Sequence, residues 1–142
     1  MRILFVCHGN VNRSAAAEII CSKIYPSLEV KSAGLKTKGG IITAKKTRDL
    51  LNLKGYDTQG IRSTPISKEL VGWADIVFYM DNPNHSRLIN EFGDSAKFKR
   101  LGLYAGVEKI PDPGFSKGTK VHELAIFLIE KSLANWTKEA HD

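Results

Sequence analysis

Two uninterrupted runs of apolar, β-favouring residues constrain the fold of this chain more than any other feature. They lie at Arg2 to Val6 (RILFV) and at Asp75 to Met80 (DIVFYM). Neither run alternates between apolar and polar residues, a pattern typical of strands buried on both faces of a parallel sheet. Parallel neighbours need a crossover connection, which is usually a helix. The two runs therefore predict an α/β fold with helices on both faces of the sheet.

Strand and helix patterns alternate along the rest of the chain. We predict strands at 2–6, 28–32, 75–80 and 100–104, and helices at 14–25, 43–53, 67–73, 82–92 and 119–138. On the last helix, the predicted apolar face consists of Leu124, Phe127, Leu128, Lys131 and Ala134. The whole pattern predicts a single domain over residues 1–142, a three-layer sandwich with a central four-stranded parallel sheet.

The composition narrows the classes of function. The chain has 142 residues and a formal net charge of +6, which suits an acidic or phosphorylated partner. Its lysines are scattered and do not alternate with aromatic residues, so we expect no nucleic-acid binding. Its apolar runs are too short to insert into a membrane, and no signal-peptide pattern is present. Two cysteines are too few for a disulfide framework or a paired-cysteine metal site, so we expect a reduced, cytoplasmic protein without metal or cofactor.

The loop between the first predicted strand and the first predicted helix reads CHGNVNRS, residues 7–14. Ligands of parallel sheets bind beyond the carboxyl ends of the strands, and the N–H groups of such a loop and of a helix start attract anions. Gly9 lets the backbone approach a ligand closely, and Asn10 tolerates left-handed geometry. Arg13 can hold two oxygens of a phosphate with its planar guanidinium. The loop therefore predicts a phosphate site.

Cys7 would lie beneath a phosphate in that loop. The loop amides, the helix dipole and Arg13 favour its thiolate form, and the Ser14 hydroxyl can donate a hydrogen bond to the sulfur. A thiolate that faces a phosphorus atom is a positioned nucleophile. We therefore predict that Cys7 is a nucleophile and that the phosphate is bound by His8, Gly9, Asn10, Val11, Asn12, Arg13 and Ser14.

A structural role is the alternative for each cysteine. The bare pattern of a cysteine six residues ahead of an arginine arises by chance in roughly one of twelve such chains, so Cys7 could simply end the strand. Its place between a buried strand and a helix favours the catalytic interpretation. Cys21 lies among apolar residues in the middle of a predicted helix, and we predict that it is a core residue.

The chain resembles the low-molecular-weight protein tyrosine phosphatases along nearly its whole length. Val6 to Ser14 matches every fixed position of that family's loop, V-C-x-G-N-x-x-R-S. Further family elements are matched in order by Glu18, by Ser32-Ala33-Gly34, by Ala74-Asp75-Ile76, by Met80-Asp81 through Asn84, and by Ile110-Pro111-Asp112-Pro113. The resemblance implies a flavodoxin-like phosphatase domain that hydrolyses phosphotyrosine in proteins through a phosphocysteine intermediate. It also implies phosphate, sulfate or vanadate as ligands of the site.

Two aspartates complete the implied site. Thiolate attack requires that the departing oxygen be protonated, and Asp112, in a proline-flanked loop, is the best candidate for the acid. The resemblance implies that Asp112 first donates this proton and then activates water, whereas an Asp-Pro turn in a surface loop is the structural alternative. For Asp81 the resemblance implies a supporting role as an acceptor that orients the site. A favourable acid at the start of helix 82–92 is the alternative.

The chain departs from the family pattern at several positions. Asn12 replaces a cysteine that can form a reversible disulfide with the nucleophile, so we expect Cys7 to be more prone to irreversible oxidation. Ile61 replaces a histidine that supports the loop asparagine, and Gly114 replaces an aromatic wall of the substrate cleft. These departures leave the nucleophile, the arginine and the acid intact.

Two alternative functions stay open at this point. Related arginine phosphatases carry threonine where this chain has Val11, whereas isoleucine there accompanies phosphotyrosine preference; the apolar valine favours an aryl phosphate. A catalytically weak module that binds phosphotyrosine is the other alternative, because of the changes near Asp112 and at Ile61. Arsenate reduction needs cysteines downstream of Cys21, and the chain has none.

Overall fold

The computed structural model describes residues 1–114 and 116–141. Its sheet consists of β1 (Arg2–Cys7), β2 (Glu29–Gly34), β3 (Ile76–Tyr79) and β4 (Phe98–Arg100). The strands are parallel and stand in the order β2-β1-β3-β4. The predicted α/β fold with a four-stranded parallel sheet is thus confirmed.

Helices cover both faces of this sheet, as predicted. They are α1 (Arg13–Ile24), α2 (Lys45–Leu53), α3 (Lys68–Trp73), α4 (Asn82–Phe92) and α5 (Lys120–His141), with a 3₁₀ helix at Leu101–Ala105. Successive residues of β1 point to opposite faces. Ile3 and Phe5 pack in one core with residues of α1 and α5, whereas Leu4 and Val6 pack in a second core with residues of α3 and α4. None of the helices in the described part of the chain is long and apolar enough to cross a membrane.

The last predicted strand is misplaced. β4 ends at Arg100, and the predicted range 100–104 falls mostly in the 3₁₀ helix. β3 offers only four residues for pairing, and its Tyr79 already pairs with Arg100. The chain then turns at Gly102, whose carbonyl accepts a hydrogen bond from the N–H of Val107. A short apolar run does not distinguish a buried strand from such a turn.

The predicted apolar face of the last helix is wrong except at Leu128, which is half-buried and packs against the core. Leu124 and Phe127 are about half exposed, and Lys131 and Ala134 lie on the surface. The buried face of α5 consists instead of His122, Ala125, Ile126, Ile129, Ser132, Leu133 and Trp136. Two stripes on this helix contain apolar residues at helical spacing, and the predicted stripe is the one that includes a lysine, Lys131.

The strand order determines where a ligand would bind. The chain runs from β1 to β2 on one side and then crosses to β3 on the other side of β1. The loops that follow β1 and β3 therefore diverge and leave a crevice at the carboxyl ends of these strands, which is the usual binding position in such sheets. Cys7 ends β1 at this crevice, and Asp81 follows β3.

Candidate active site

The Cys7 sulfur receives hydrogen bonds from the loop that follows it. The backbone N–H of Asn10 lies 3.3 Å from Sγ, and the Ser14 hydroxyl oxygen lies 2.9 Å from it. The Asn10 side-chain amide donates to the same hydroxyl oxygen at 2.7 Å, so the single hydroxyl proton of Ser14 is available for the sulfur. Two hydrogen-bond donors directed at one sulfur can stabilise negative charge that develops on it.

The loop backbone turns its carbonyl groups away from the space above Cys7. The carbonyls of Cys7, His8 and Val11 accept hydrogen bonds from the N–H groups of Leu35, Lys36 and Ala44, respectively. The N–H groups at positions 9, 11 and 12 make no hydrogen bond to any described residue. Free amides around a sulfur at a helix start form a concave site for an anion.

Asn10 holds this loop in shape. Its φ of 58° lies in the left-handed region, where it is the one described residue other than glycine. Its side-chain amide donates to Ser14 and, at 2.9 Å, to the Ser32 hydroxyl, while its Oδ1 accepts from the N–H of Thr64 at 2.8 Å. Asn10 therefore ties the loop to β2 and to the segment before α3, and these bonds offset the strain of its backbone.

Arg13 lies at the first position of α1 and is 2% exposed. Its Nη1 donates to Asp81 Oδ2 at 2.6 Å and to the Ile110 carbonyl at 2.9 Å. Its Nη2 lies 3.5 Å from Asp112 Oδ2, and its Nε has no hydrogen-bond partner among the described residues. One edge of the guanidinium is therefore fixed by the protein, which leaves the Nε and Nη2 edge for two phosphate oxygens.

Asp112 lies at the rim of the same site. Its side chain is 49% exposed, and its Oδ1 accepts a hydrogen bond from the N–H of Gly114 at 3.0 Å. The buried Pro113 that follows anchors this segment. The Arg13 contact brings the carboxyl group of Asp112 beside the phosphate site while solvent still reaches it. A group in that position can exchange a proton with a bound ester or with water.

Asn12 enters a buried chain of hydrogen bonds that the sequence did not predict. The Thr47 hydroxyl on α2 donates to Asn12 Oδ1 at 2.7 Å and also contacts His122 Nδ1 on α5 at 3.0 Å. All three side chains are buried. Thr47 lies one turn before the buried Leu51, and His122 lies one turn before the buried Ile126. Polar residues on the apolar faces of two helices were the signal that could have located both.

Two further ionisable groups, Glu18 and Cys21, lie on α1. Burial raises the pKa of Glu18, although the hydrogen bond from the Ser32 hydroxyl, at 2.6 Å, opposes the shift. Burial in the core raises the pKa of Cys21 to about 12, so this residue is a thiol within α1, as expected for a packing residue. Among the described residues, no group of three or more His, Cys, Asp and Glu side chains could hold a metal ion.

Comparison with known proteins identifies the family of the chain. A family model described as low molecular weight phosphotyrosine protein phosphatase matches residues 2–142. The chain belongs to this family. It is therefore an enzyme of the hydrolase class, a protein phosphatase, and the resemblance inferred from the loop motif is confirmed.

Relatives of two named specificities are similar to this phosphatase. It is 32% identical over 138 residues to the low molecular weight protein-tyrosine-phosphatase Ptp of Acinetobacter johnsonii, covering 96% of this chain and 95% of the relative. It is 36% identical over 103 residues to a protein-arginine-phosphatase of Geobacillus stearothermophilus, covering 72% and 68%, respectively. The solved structure of a Drosophila arginine phosphatase superposes with a TM-score of 0.92 at 28% identity, covering 100% of this chain and 99% of the other. The flavodoxin-like fold is shared with these phosphatases.

Proposed function

We propose that the chain hydrolyses phosphotyrosine in proteins through a phosphocysteine intermediate. The observation that carries the proposal is the Cys7 sulfur, which receives hydrogen bonds from Asn10 and Ser14 at the base of a loop with free amides. Arg13 lies at the edge of this loop, and Asp112 contacts it. A cysteine sulfur placed beneath an anion site suits covalent phosphoryl transfer, in which the sulfur attacks the bound phosphorus.

The first step transfers the phosphoryl group to sulfur. The Cys7 thiolate attacks phosphorus, the bond from phosphorus to the tyrosine oxygen breaks, and the carboxylic acid of Asp112 gives its proton to that oxygen. Tyrosine leaves neutral, and a Cys7 phosphothioester remains. The loop amides and the guanidinium of Arg13 stabilise the charge on the phosphoryl oxygens while the bonds change.

The second step releases inorganic phosphate. The Asp112 carboxylate, now deprotonated, accepts a proton from water while the water oxygen attacks phosphorus. The bond from phosphorus to sulfur breaks, and Cys7 leaves as a thiolate that Ser14 and the N–H of Asn10 stabilise. Asp112 ends as the acid, so the enzyme is ready for another cycle. No metal or cofactor is required by this scheme.

We also propose the extent of the catalytic domain, the ligands of its site and the cellular compartment in which it acts. Residues 1–142 act as a single phosphatase domain, and phosphate, sulfate and vanadate are expected to occupy the Cys7 loop as ligands. Nucleic acid is not an expected partner. The dependence on a free thiolate supports a reducing compartment, the cytoplasm, as the place of action, since both cysteines are free in the structure.

Hydrolysis of phosphoarginine in proteins is the second candidate function. The 36% identity to a named arginine phosphatase supports it. The half-buried, apolar Val11 in the loop favours phosphotyrosine instead, because valine offers methyl groups to an aromatic ring and no acceptor to a guanidinium. The geometry of Cys7, Arg13 and Asp112 suits either substrate.

The decisive experiment compares hydrolysis of matched peptides that contain phosphotyrosine, phosphoarginine or phosphoserine. We expect phosphotyrosine to have the highest kcat/KM, p-nitrophenyl phosphate to be hydrolysed without metal at mildly acidic pH, and vanadate to inhibit. Cys7→Ser should abolish turnover, and activity that survives this substitution would refute the covalent mechanism. Preference for phosphoarginine would establish the second candidate, and retained phosphotyrosine binding without any turnover would favour a binding module.

A further inference from the structure

We propose that His122 is a positioning residue of the phosphate loop, which it supports from α5 through the hydroxyl of Thr47. The role rests on the proposed phosphatase function, because Asn12 is one of the residues whose N–H would bind the phosphate. Asn12 lies directly before Arg13 at the start of α1. Support applied to the Asn12 side chain therefore acts on both a loop amide and the guanidinium beside it.

The hydrogen-bonding capacity of the three side chains fixes the direction of the contact. Asn12 Oδ1 can only accept, so the single hydroxyl proton of Thr47 is used in the 2.7 Å bond to it. The 3.0 Å contact between Thr47 Oγ1 and His122 Nδ1 then requires a proton on Nδ1. Burial and the charge of Lys46 lower the pKa of His122, whereas Asp112 opposes the shift. A neutral ring protonated at Nδ1 satisfies this arrangement.

Water cannot reach these bonds from the side of α5, whereas Asn12 and His122 also line a space of about 350 Å³ that is open to solvent. Asn12, Thr47 and His122 pack with Arg13, Pro113 and the apolar side chains of α5 around a space too small to admit a water molecule. Removing the Thr47 hydroxyl takes from Asn12 Oδ1 its donor, and removing the His122 donor takes from Thr47 Oγ1 the bond that orients its proton toward Asn12, so either change weakens the support of the loop. His122 and Pro113 line the same small space, and Pro113 directly follows Asp112, the proposed acid.

The test uses two pairs of substitutions, each with a matched control. Thr47→Val removes the hydroxyl at nearly constant shape, whereas Thr47→Ser keeps it. His122→Asn places an amide donor near the position of Nδ1, whereas His122→Gln places its amide near the position of Nε2. Each variant is measured for its Kd for inorganic phosphate, for kcat and KM with p-nitrophenyl phosphate, and for its unfolding temperature.

We expect Thr47→Val and His122→Gln to weaken phosphate binding about tenfold, and Thr47→Ser and His122→Asn to stay within about threefold of wild type. The imidazole ¹⁵N resonances of the wild type should show a protonated Nδ1 and a bare Nε2. Equal phosphate affinity in folded Thr47→Val and wild type would overturn the proposal, and so would a ring protonated at Nε2 alone.

These outcomes are independent of the proposed function. If the wild type hydrolysed none of the phosphopeptides, the function would fail, but the phosphate affinities and the ring tautomer would still decide the role of His122. If the wild type were active and the four variants matched it, only the positioning role would fail. The Kd for phosphate is measured at a temperature at which every variant is folded, so a change in Kd reports the position of the loop. A loss of stability appears separately, as a lower unfolding temperature.

Discussion

Arg13 and Asp81 join the start of α1 to the start of α4 through a contact of 2.6 Å between Nη1 and Oδ2. Asp81 is at the same time the N-cap of α4, because its other oxygen accepts the N–H of Asn84 at 2.9 Å. The two interpretations of Asp81 from the sequence, an orienting acceptor and a helix-start acid, are therefore compatible in one side chain. This double use makes the two contributions separable by mutation.

Asp81→Asn should keep the helix cap and lose the charge that holds Arg13, whereas Asp81→Ala should lose both. We expect Asp81→Asn to lower the free energy of unfolding by about 2 kcal/mol, the usual value of a hydrogen bond to a charged group. Asp81→Ala should lose about 1 kcal/mol more with the cap. Denaturant unfolding measures both, and kcat/KM should fall in both variants because the guanidinium is no longer fixed. Equal stability of the two variants would contradict the separation of cap and charge.

Asp112→Ala should slow hydrolysis most where the leaving group is poor. The acid contributes about 10²- to 10⁴-fold when the departing oxygen needs a proton, and much less when it leaves readily as an anion. The measurement is kcat for a series of aryl phosphates whose phenols span a range of pKa values, in wild type and variant. Glu108→Gln, an exposed change, is the control. A loss of equal size for good and poor leaving groups would argue against the acid role.

The sequence predicted the parts of the site that are local in the chain. Cys7, the loop and Arg13 form one strand, loop and helix start, and their chemistry follows from residue types at short spacing. The partners of this loop come from distant segments: Thr64 contacts Asn10, and Thr47 reaches Asn12. Such contacts depend on how helices and strands that are distant in the chain pack together, and this packing cannot be read from a single sequence. His122 was missed for the same reason, since the wrong face of the last helix was taken as the buried one.

Hydrogen peroxide should inactivate the wild type in a way that thiol reductants do not reverse. The second cysteine, Cys21, lies fully buried within α1 and cannot resolve a Cys7 sulfenic acid. Asn12→Cys would place a thiol in the loop, and we expect dithiothreitol to restore most of the activity of this variant after peroxide. Thr58→Cys, a cysteine elsewhere in the chain, serves as the control. Full recovery of the oxidised wild type would contradict this expectation.

Gly34→Ala should damage the site from the end of β2. A Cβ atom there would lie 2.9 Å from Thr37 Cγ2, 3.0 Å from the backbone carbon of Gly9 and 3.1 Å from Asn10 Cβ. We expect a loss of about 1 to 3 kcal/mol in unfolding free energy from overpacking, together with weaker phosphate binding as the loop shifts.

Gly72→Ala in α3 is the matched control, because nothing lies within 4 Å of its added Cβ. Alanine suits a helix better than glycine, so this control should be neutral or stabilising. If Gly34→Ala bound phosphate as tightly as the wild type, the loop would not depend on the close packing of Gly34 against Gly9 and Asn10.

Because of Glu18, the free energy of unfolding should fall as pH rises. Its pKa is raised in the folded protein above the usual value of 4.5, so the unfolded chain loses the proton first as pH rises. The stabilising contribution of the protonated group is complete below pH 4.5 and is lost as pH rises through the folded-state pKa.

The variant Glu18→Gln provides the reference, because its side chain cannot titrate. The unfolding free energy of the wild type relative to Glu18→Gln should therefore fall as pH rises from 4.5 through the raised folded-state pKa of Glu18. Denaturant titrations of both proteins across this range measure it, with Glu108→Gln as an exposed control that should show no such trend. A relative stability that rises with pH would mean that the hydrogen bond from Ser32 outweighs burial at this carboxyl group.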